Sequence, residues 1–247
     1  MLESIKRWVA GAPEGVADWS AVAAWARGRQ GVFKRARDNQ GFVVDGLQGG
    51  RAWRLEWGPP QRSYIEGLEL RLRMELGLAP DLQMLLMSRP LMETLERQTF
   101  ERYTEQMQTQ IDVATPEEMR WLAMLPKVPL AGSKDFRFRF GGVAMSPQVA
   151  AAWIDGALTE RLEAAARGVL ADEPPFVLMT LRGRVYLRLQ LAVPDVAAIS
   201  AMVDVFECAV TQAARMGGLP ADGPEAWPST ASTAWQTQLQ PEPPKTE

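Results

Sequence analysis

The chain has 247 residues, 47% hydrophobic and 23% charged, with a formal net charge of -3. That length supplies a sizeable core and allows one or two domains, while the slight acidic excess gives no global attraction to phosphate backbones, so no nucleic-acid partner is expected. Histidine is absent and Cys208 is the single cysteine, which removes Ser-His-Asp and Cys-His catalysis, imidazole and thiolate metal sites, and any intrachain disulfide.

No metal and no cofactor are expected on these grounds. Arginine outnumbers lysine by 22 to 5 and alanine is abundant, a bias that points to GC-rich coding and a bacterial source. No window reaches the roughly 18 apolar residues of a membrane span. The start, MLESIKRWVAGAPEG, lacks the continuous apolar run of a signal peptide, so the expected address is the cytoplasm, with no membrane span.

Leu2, Ile5, Trp8 and Val9 form a short apolar stripe that suits an N-terminal helix lying on the body. A second helix is predicted from an Asp18 N-cap through Trp19, Val22 and Trp25, closed by Gly31. A β region follows, with Val32-Phe33, then 42–44 and 51–57 flanking a glycine turn at 46, 49 and 50. Residues 51–76 carry the clearest pattern in the chain. Trp53, Leu55 and Trp57, then Leu68, Leu70, Leu72, Met74 and Leu76, alternate with charged residues. This period of two puts the apolar side chains on one sheet face and the charges on the other. Gly58-Pro59-Pro60 stops the first run, so the two strands are expected to pair antiparallel across a loop.

Residues 82–87 read as a buried strand and the pattern turns helical from Pro90. Thr115-Pro116-Glu117-Glu118 has the form of a capping box that opens a helix carrying Met119, Trp121, Leu122 and Met124. The stretch 127–135, with Pro129 and Gly132, is the expected linker. Beyond it, Phe136, Phe138 and Phe140 alternate with Arg137 and Arg139 as a predicted strand, and Ser146-Pro147 opens a helix running to Gly168. Residues 176–181 and 185–191 form a hairpin around Arg182-Gly183-Arg184. Val196, Ile199, Val203, Phe206 and Val210 are spaced three, four, three, four on a last helix stopped by Gly217-Gly218. From Leu219 the composition shifts to Pro, Ser, Thr, Gln and Glu, a disordered tail by composition, in which Trp227 and Trp235 stand out.

The fold class is therefore α+β: antiparallel meanders covered on one face by amphipathic helices, in two similar lobes or one continuous domain. The expected division is 1–126, a linker at 127–135, a second lobe at 136–218, and a tail at 219–247. The element order resembles small bacterial chaperone-like folds, a likeness that implies no functional residue.

Function is less legible. The charges opposite the Leu and Trp face are Arg54, Glu56, Glu69, Arg71, Arg73 and Glu75. One reading makes them a lattice of cross-strand ion pairs. The other makes Arg54, Arg71 and Arg73, with Gln61, Arg62 and Tyr64 of the proline-stiffened loop, a site for an anionic small molecule, since guanidinium forks suit phosphates and carboxylates. The glycines at 46, 49 and 50 match neither phosphate-loop nor dinucleotide fingerprint. No catalytic residue is assigned: Glu56 and Glu69 are the one carboxylate pair in view, and arginines crowd them. The expectation is a non-catalytic cytoplasmic module of adaptor or chaperone type that binds another protein through a sheet edge, the last helix or the tail, with Trp227 and Trp235 as partner-binding candidates. A homo-oligomer is compatible with this. The anion binder is the alternative, and a carboxylate-dependent enzyme the third reading.

Overall fold

The computed structural model describes residues 18–36, 40–105 and 115–218. The alternating stretch folds as two adjacent strands, β3 (Arg51–Gly58) and β4 (Glu69–Glu75). Trp53 lies opposite Met74, Leu55 opposite Leu72 and Trp57 opposite Leu70. All six side chains are buried, because an in-register antiparallel pair turns each apolar residue to the same side. β1 (Val32–Arg35) and β2 (Phe42–Gln48) complete the first meander.

The sheet then continues through β8 (Arg184–Gln190), β7 (Phe176–Leu181), β5 (Met84–Ser88) and β6 (Phe140–Ala144), in the order β1-β2-β3-β4-β8-β7-β5-β6. Every pairing is antiparallel. β5 precedes residues 127–135 in the chain and lies between β6 and β7, which follow them. Residues 126–128 run along the outer edge of β6: the Val128 N–H donates to the Gly142 carbonyl at 2.9 Å and the Ala144 N–H to that of Pro126 at 3.1 Å.

The first face of the sheet is covered by α1 (Ser20–Gly28), the short α4 (Lys134–Arg139), α5 (Pro147–Ile154), α6 (Ala157–Ala166) and α7 (Val196–Met216). Ile199, Val203, Phe206 and Val210 of α7 are buried in one cluster with Leu55, Leu72 and Leu187, so the narrow stripe of this helix is spent on its own sheet. Asp195 caps α7, its carboxylate accepting the Ala198 N–H at 2.9 Å. The second face is divided. Over β5, β6 and β7 it is apolar and carries α2 (Arg89–Glu105) and α3 (Glu117–Met124), which set Leu91, Met92, Leu95, Met119, Trp121 and Leu122 on Leu85, Met87, Val143, Val177 and Met179. Over β2, β3, β4 and β8 it is charged. This is an α+β fold with helices packed on one antiparallel sheet.

Four local expectations need correction. Phe136 and Phe138 are in α4, not in a strand; Phe136 and Phe140 are buried one helical turn apart while Phe138 is exposed. Ser133 decides this by capping the helix, its hydroxyl accepting the Phe136 N–H at 3.0 Å. The predicted helix to Gly168 is two helices, broken where Gly156 adopts φ 62°, a value that glycine takes without a Cβ penalty. Thr115 to Glu118 make no capping box: the N-cap of α3 is Pro116 and no side chain caps it. Finally, α7 has 21 residues and a mean hydropathy of 1.4, enough in length and composition for a membrane span. Asp204 and Glu207 interrupt its apolar run, which is why no continuous window stands out. Half of that window is buried inside the fold, in the cluster that α7 shares with the first face of the sheet. Arg29 ties the two acids down at 3.0 and 2.8 Å.

Gly46 pairs with Trp53, and a Cβ at Gly46 would overlap the Trp53 indole. Gly46→Ala should therefore lower stability by about 1–3 kcal/mol, and Leu70→Ala, which empties a fully buried site, by about 2–5 kcal/mol. Denaturant midpoints of the two variants test both; an unshifted midpoint for Gly46→Ala would contradict the Trp53 packing.

Candidate functional site

The charged half of the second face is built from rungs that cross the sheet. One runs Val43, Glu56, Arg71, Arg188, Val177; the next runs Asp45, Arg54, Arg73, Tyr186, Met179. Between β8 and β7 the first rung passes from Arg188 to Val177 and the second from Tyr186 to Met179, and this is where α3 begins to cover the sheet. At this seam two carboxylates are fully buried, Glu69 on β4 and Glu118 on α3.

Both are held by guanidinium groups. One Glu69 oxygen accepts from Arg188 at 2.6 Å, and the other from Arg71 at 3.0 Å and from the Gln61 backbone N–H at 2.7 Å. Glu118 accepts from Arg62 at 3.1 Å and from the Tyr64 hydroxyl at 3.0 Å through one oxygen, with Arg188 at 3.9 Å. Its other oxygen is buried without a hydrogen-bond partner. Burial first, and then the Glu118 charge, push the Tyr64 phenol above its usual range. Burial works against the Arg62 charge, yet Glu118, Tyr64 and Glu69 outweigh it and raise that group too. Leaving either carboxylate alone in this setting would cost several kcal/mol, so the pairs are obligatory once the seam closes.

Away from the seam the same pairing continues in water. Glu56 sits among Arg71 at 3.3 Å, Arg73 at 3.6 Å and Arg54 at 3.9 Å. Arg54 also forks onto Asp45 at 2.6 and 3.2 Å, and Lys34 reaches the same carboxylate at 3.1 Å. Arg54 above all, then Lys34, hold the Asp45 carboxyl below its usual range against the effect of burial. Between these side chains lies a cleft of about 40 Å³, lined by Arg54, Glu56, Gln61, Arg71, Arg73 and Tyr186. That is far below the ~300–1,000 Å³ of small-molecule pockets.

The structure brings together all six residues proposed as anion ligands, in two groups. Arg71, Gln61, Arg62 and Tyr64 join the buried cluster, the first also donating to the Pro59 carbonyl at 2.8 Å. Arg54 and Arg73 stay on the outer rung with side chains 40% and 50% exposed, against 15% for Arg71. Arg188 joins because β8 pairs with β4, whereas Arg184 pairs with Glu75 and Arg182 with Glu117. Trp227 and Trp235 lie outside the described residues. Sequence reasoning missed Glu118, taking it for a cap. The available signal was its spacing: it shares a helical face with the buried Trp121 and Leu122, and a carboxylate on an apolar stripe demands a partner. Chemically, the oxygens of Glu69 and Glu118 have no access to a substrate. Among the described residues no group of three His, Cys, Asp or Glu could hold a metal.

The difference in burial ranks the arginines. Arg71→Gln should cost about 1–3 kcal/mol, since it strips a charged hydrogen bond from the buried Glu69 carboxylate, whereas Arg54→Gln and Arg73→Gln should each stay within about 1 kcal/mol, as exposed pairs do. Equal losses for all three in denaturant titrations would contradict the distinction between seam and outer rung.

No family model matches this chain, and no curated protein matches it. Among solved structures, the crystal structure of the mycobacterial trehalose monomycolate transport factor A, TtfA, is similar with a TM-score of 0.44 and 10% sequence identity, over 86% of this chain and 100% of that one.

Proposed function

We propose that this chain is a non-catalytic, cytoplasmic protein-binding module of adaptor or chaperone type, and that it engages its partner at the open edge of β1. The observation that carries this reading is the contrast between the two ends of the sheet. The β6 edge is sealed by residues 126–128, while among the described residues no strand pairs with the outer side of β1. An unpaired edge is a template for an added strand. The Ala36 N–H donates inward to the Gly41 carbonyl at 2.9 Å, and the alternation of an antiparallel ladder then turns the backbone groups of Phe33 and Arg35 outward. Val32 and Leu47 are 55% and 72% exposed beside this edge, and Lys34 and Arg35 add positive charge. Like charges disfavour pairing of two copies of β1, so the favoured partner is an extended segment that is acidic with apolar residues interspersed.

The same reading makes Arg54, Arg71, Arg73, Gln61, Arg62 and Tyr64 a scaffold for this end of the sheet, supported by the carboxylates that already occupy their donors. The lone cysteine is in keeping with a reducing compartment.

A photoreactive amino acid placed at Val32 in cells of the source organism should give one discrete protein adduct, lost on Arg35→Glu, while the same probe at exposed Phe138, by the sealed edge, gives none. Adducts of equal pattern from both positions, or none from Val32, would count against the edge.

A further inference from the structure

The four residues of β1 divide by face and by end. Phe33 lies opposite Val44 and Arg35 opposite Phe42, both buried on the first face, so Phe33 and Arg35 point to that face. Val32 lies opposite Asp45 and Lys34 opposite Val43, which puts them on the charged face. Along the strand two apolar residues are thus followed by two cations, one of each kind on each face. Phe33 is half-buried against the core, its ring centroid 5.4 Å from that of Phe42, which stacks on Trp57 at 5.6 Å; this row of rings ends at the edge strand. Arg35 lies over the Trp19 ring, 5.5 Å from its centroid. Asp18 is near enough to feel that charge, but its carboxylate accepts the Ser20 N–H at 2.9 Å. Lys34 reaches Asp45, a carboxylate already forked by Arg54, so the end of the strand at Lys34 and Arg35 keeps an excess of positive charge.

We infer, resting on the reading of the β1 edge given above, that the segment this edge accepts runs antiparallel to β1 and carries, in its own chain direction, two acidic residues followed by two apolar ones. An antiparallel neighbour sets its residues directly opposite those of β1 and exchanges N–H and C=O bonds with the outward-turned Phe33 and Arg35, a pairing slightly more stable than the parallel one. Every pairing within this sheet is of that kind. The first residue of the segment then opposes Arg35, the second Lys34, the third Phe33 and the fourth Val32. Acids opposite the two cations are favourable cross-strand pairs. The third side chain extends the row of rings, and the fourth covers Val32 on the face and at the end where Leu47 is also exposed. The opposite order would press carboxylates onto Phe33 and Val32, where nothing replaces their lost water.

The order is tested on the full-length protein by the anisotropy of fluorescent, end-blocked peptides flanked by Ser and Gly. The core Glu-Glu-Ile-Ile should bind, and Ile-Ile-Glu-Glu should bind roughly tenfold more weakly. Arg35→Glu should weaken the first peptide by a similar factor, and Lys-Glu-Ile-Ile, changed only at the position that opposes Arg35, should restore the parent's affinity. A photoreactive residue at Val32 reports where the peptides sit. Equal affinities for the two orders, with equal adducts at Val32, would overturn the order while leaving the edge in use, whereas no adduct from either peptide would overturn the edge as well. Tighter binding of Ile-Ile-Glu-Glu, the mark of a parallel strand, would overturn the inference, and so would a charge swap that fails to restore affinity. A dimer in sedimentation that the first peptide does not dissociate would make a second copy the occupant and overturn it too.

Discussion

Two carboxylates inside the protein, Glu69 and Glu118, decide how the second face of the sheet is assembled. A bare carboxylate there would be too costly to bury, and the fold meets the cost with three guanidinium groups, a phenol and a backbone N–H, drawn from β4, β8 and the loop after β3 and turned on one carboxylate from β4 and one from α3. None of these elements can leave without stranding a charge. The cluster therefore fixes where α3 stops and where the open charged sheet starts, a boundary that hydrophobic burial alone does not specify.

That boundary shapes what the molecule has left to offer. Its first face is fully occupied by helices, the apolar end of its second face is under α2 and α3, and the charged end is internally neutralised by Asp45, Glu56 and Glu69. What remains open among the described residues is at the periphery, on the outer side of β1. In a protein arranged in this way the centre supplies rigidity and the margins are what is left open.

The legible parts of this fold were those in which one period could be satisfied in only one way. Nine residues alternating from Leu68 to Leu76 admit a strand alone, and the three-four spacing from Val196 to Val210 admits a helix alone. The five residues from Phe136 to Phe140 admit both, because Phe136 and Phe140 are two strand steps apart and also one helical turn apart; a serine hydroxyl outside the pattern settled the matter. The division of the second face was not legible at all. It depends on β8 joining β4, which brings Arg188 to Glu69 across 119 positions of sequence, and no local pattern encodes a pairing of that range. Glu118 was misplaced for the opposite reason, since a strong local motif, Thr-x-x-Glu, competed with its tertiary role and the tertiary role won.

The most direct measurement is a double-mutant cycle on Glu69→Leu and Arg188→Met, read as unfolding free energies. If the buried cluster holds the seam, each single substitution costs about 3–5 kcal/mol by stranding its partner, and the double variant loses at least ~2 kcal/mol less than the sum of the two. Single losses below about 1 kcal/mol that simply add would contradict the account, because the two charges would then be neither isolated from water nor dependent on each other.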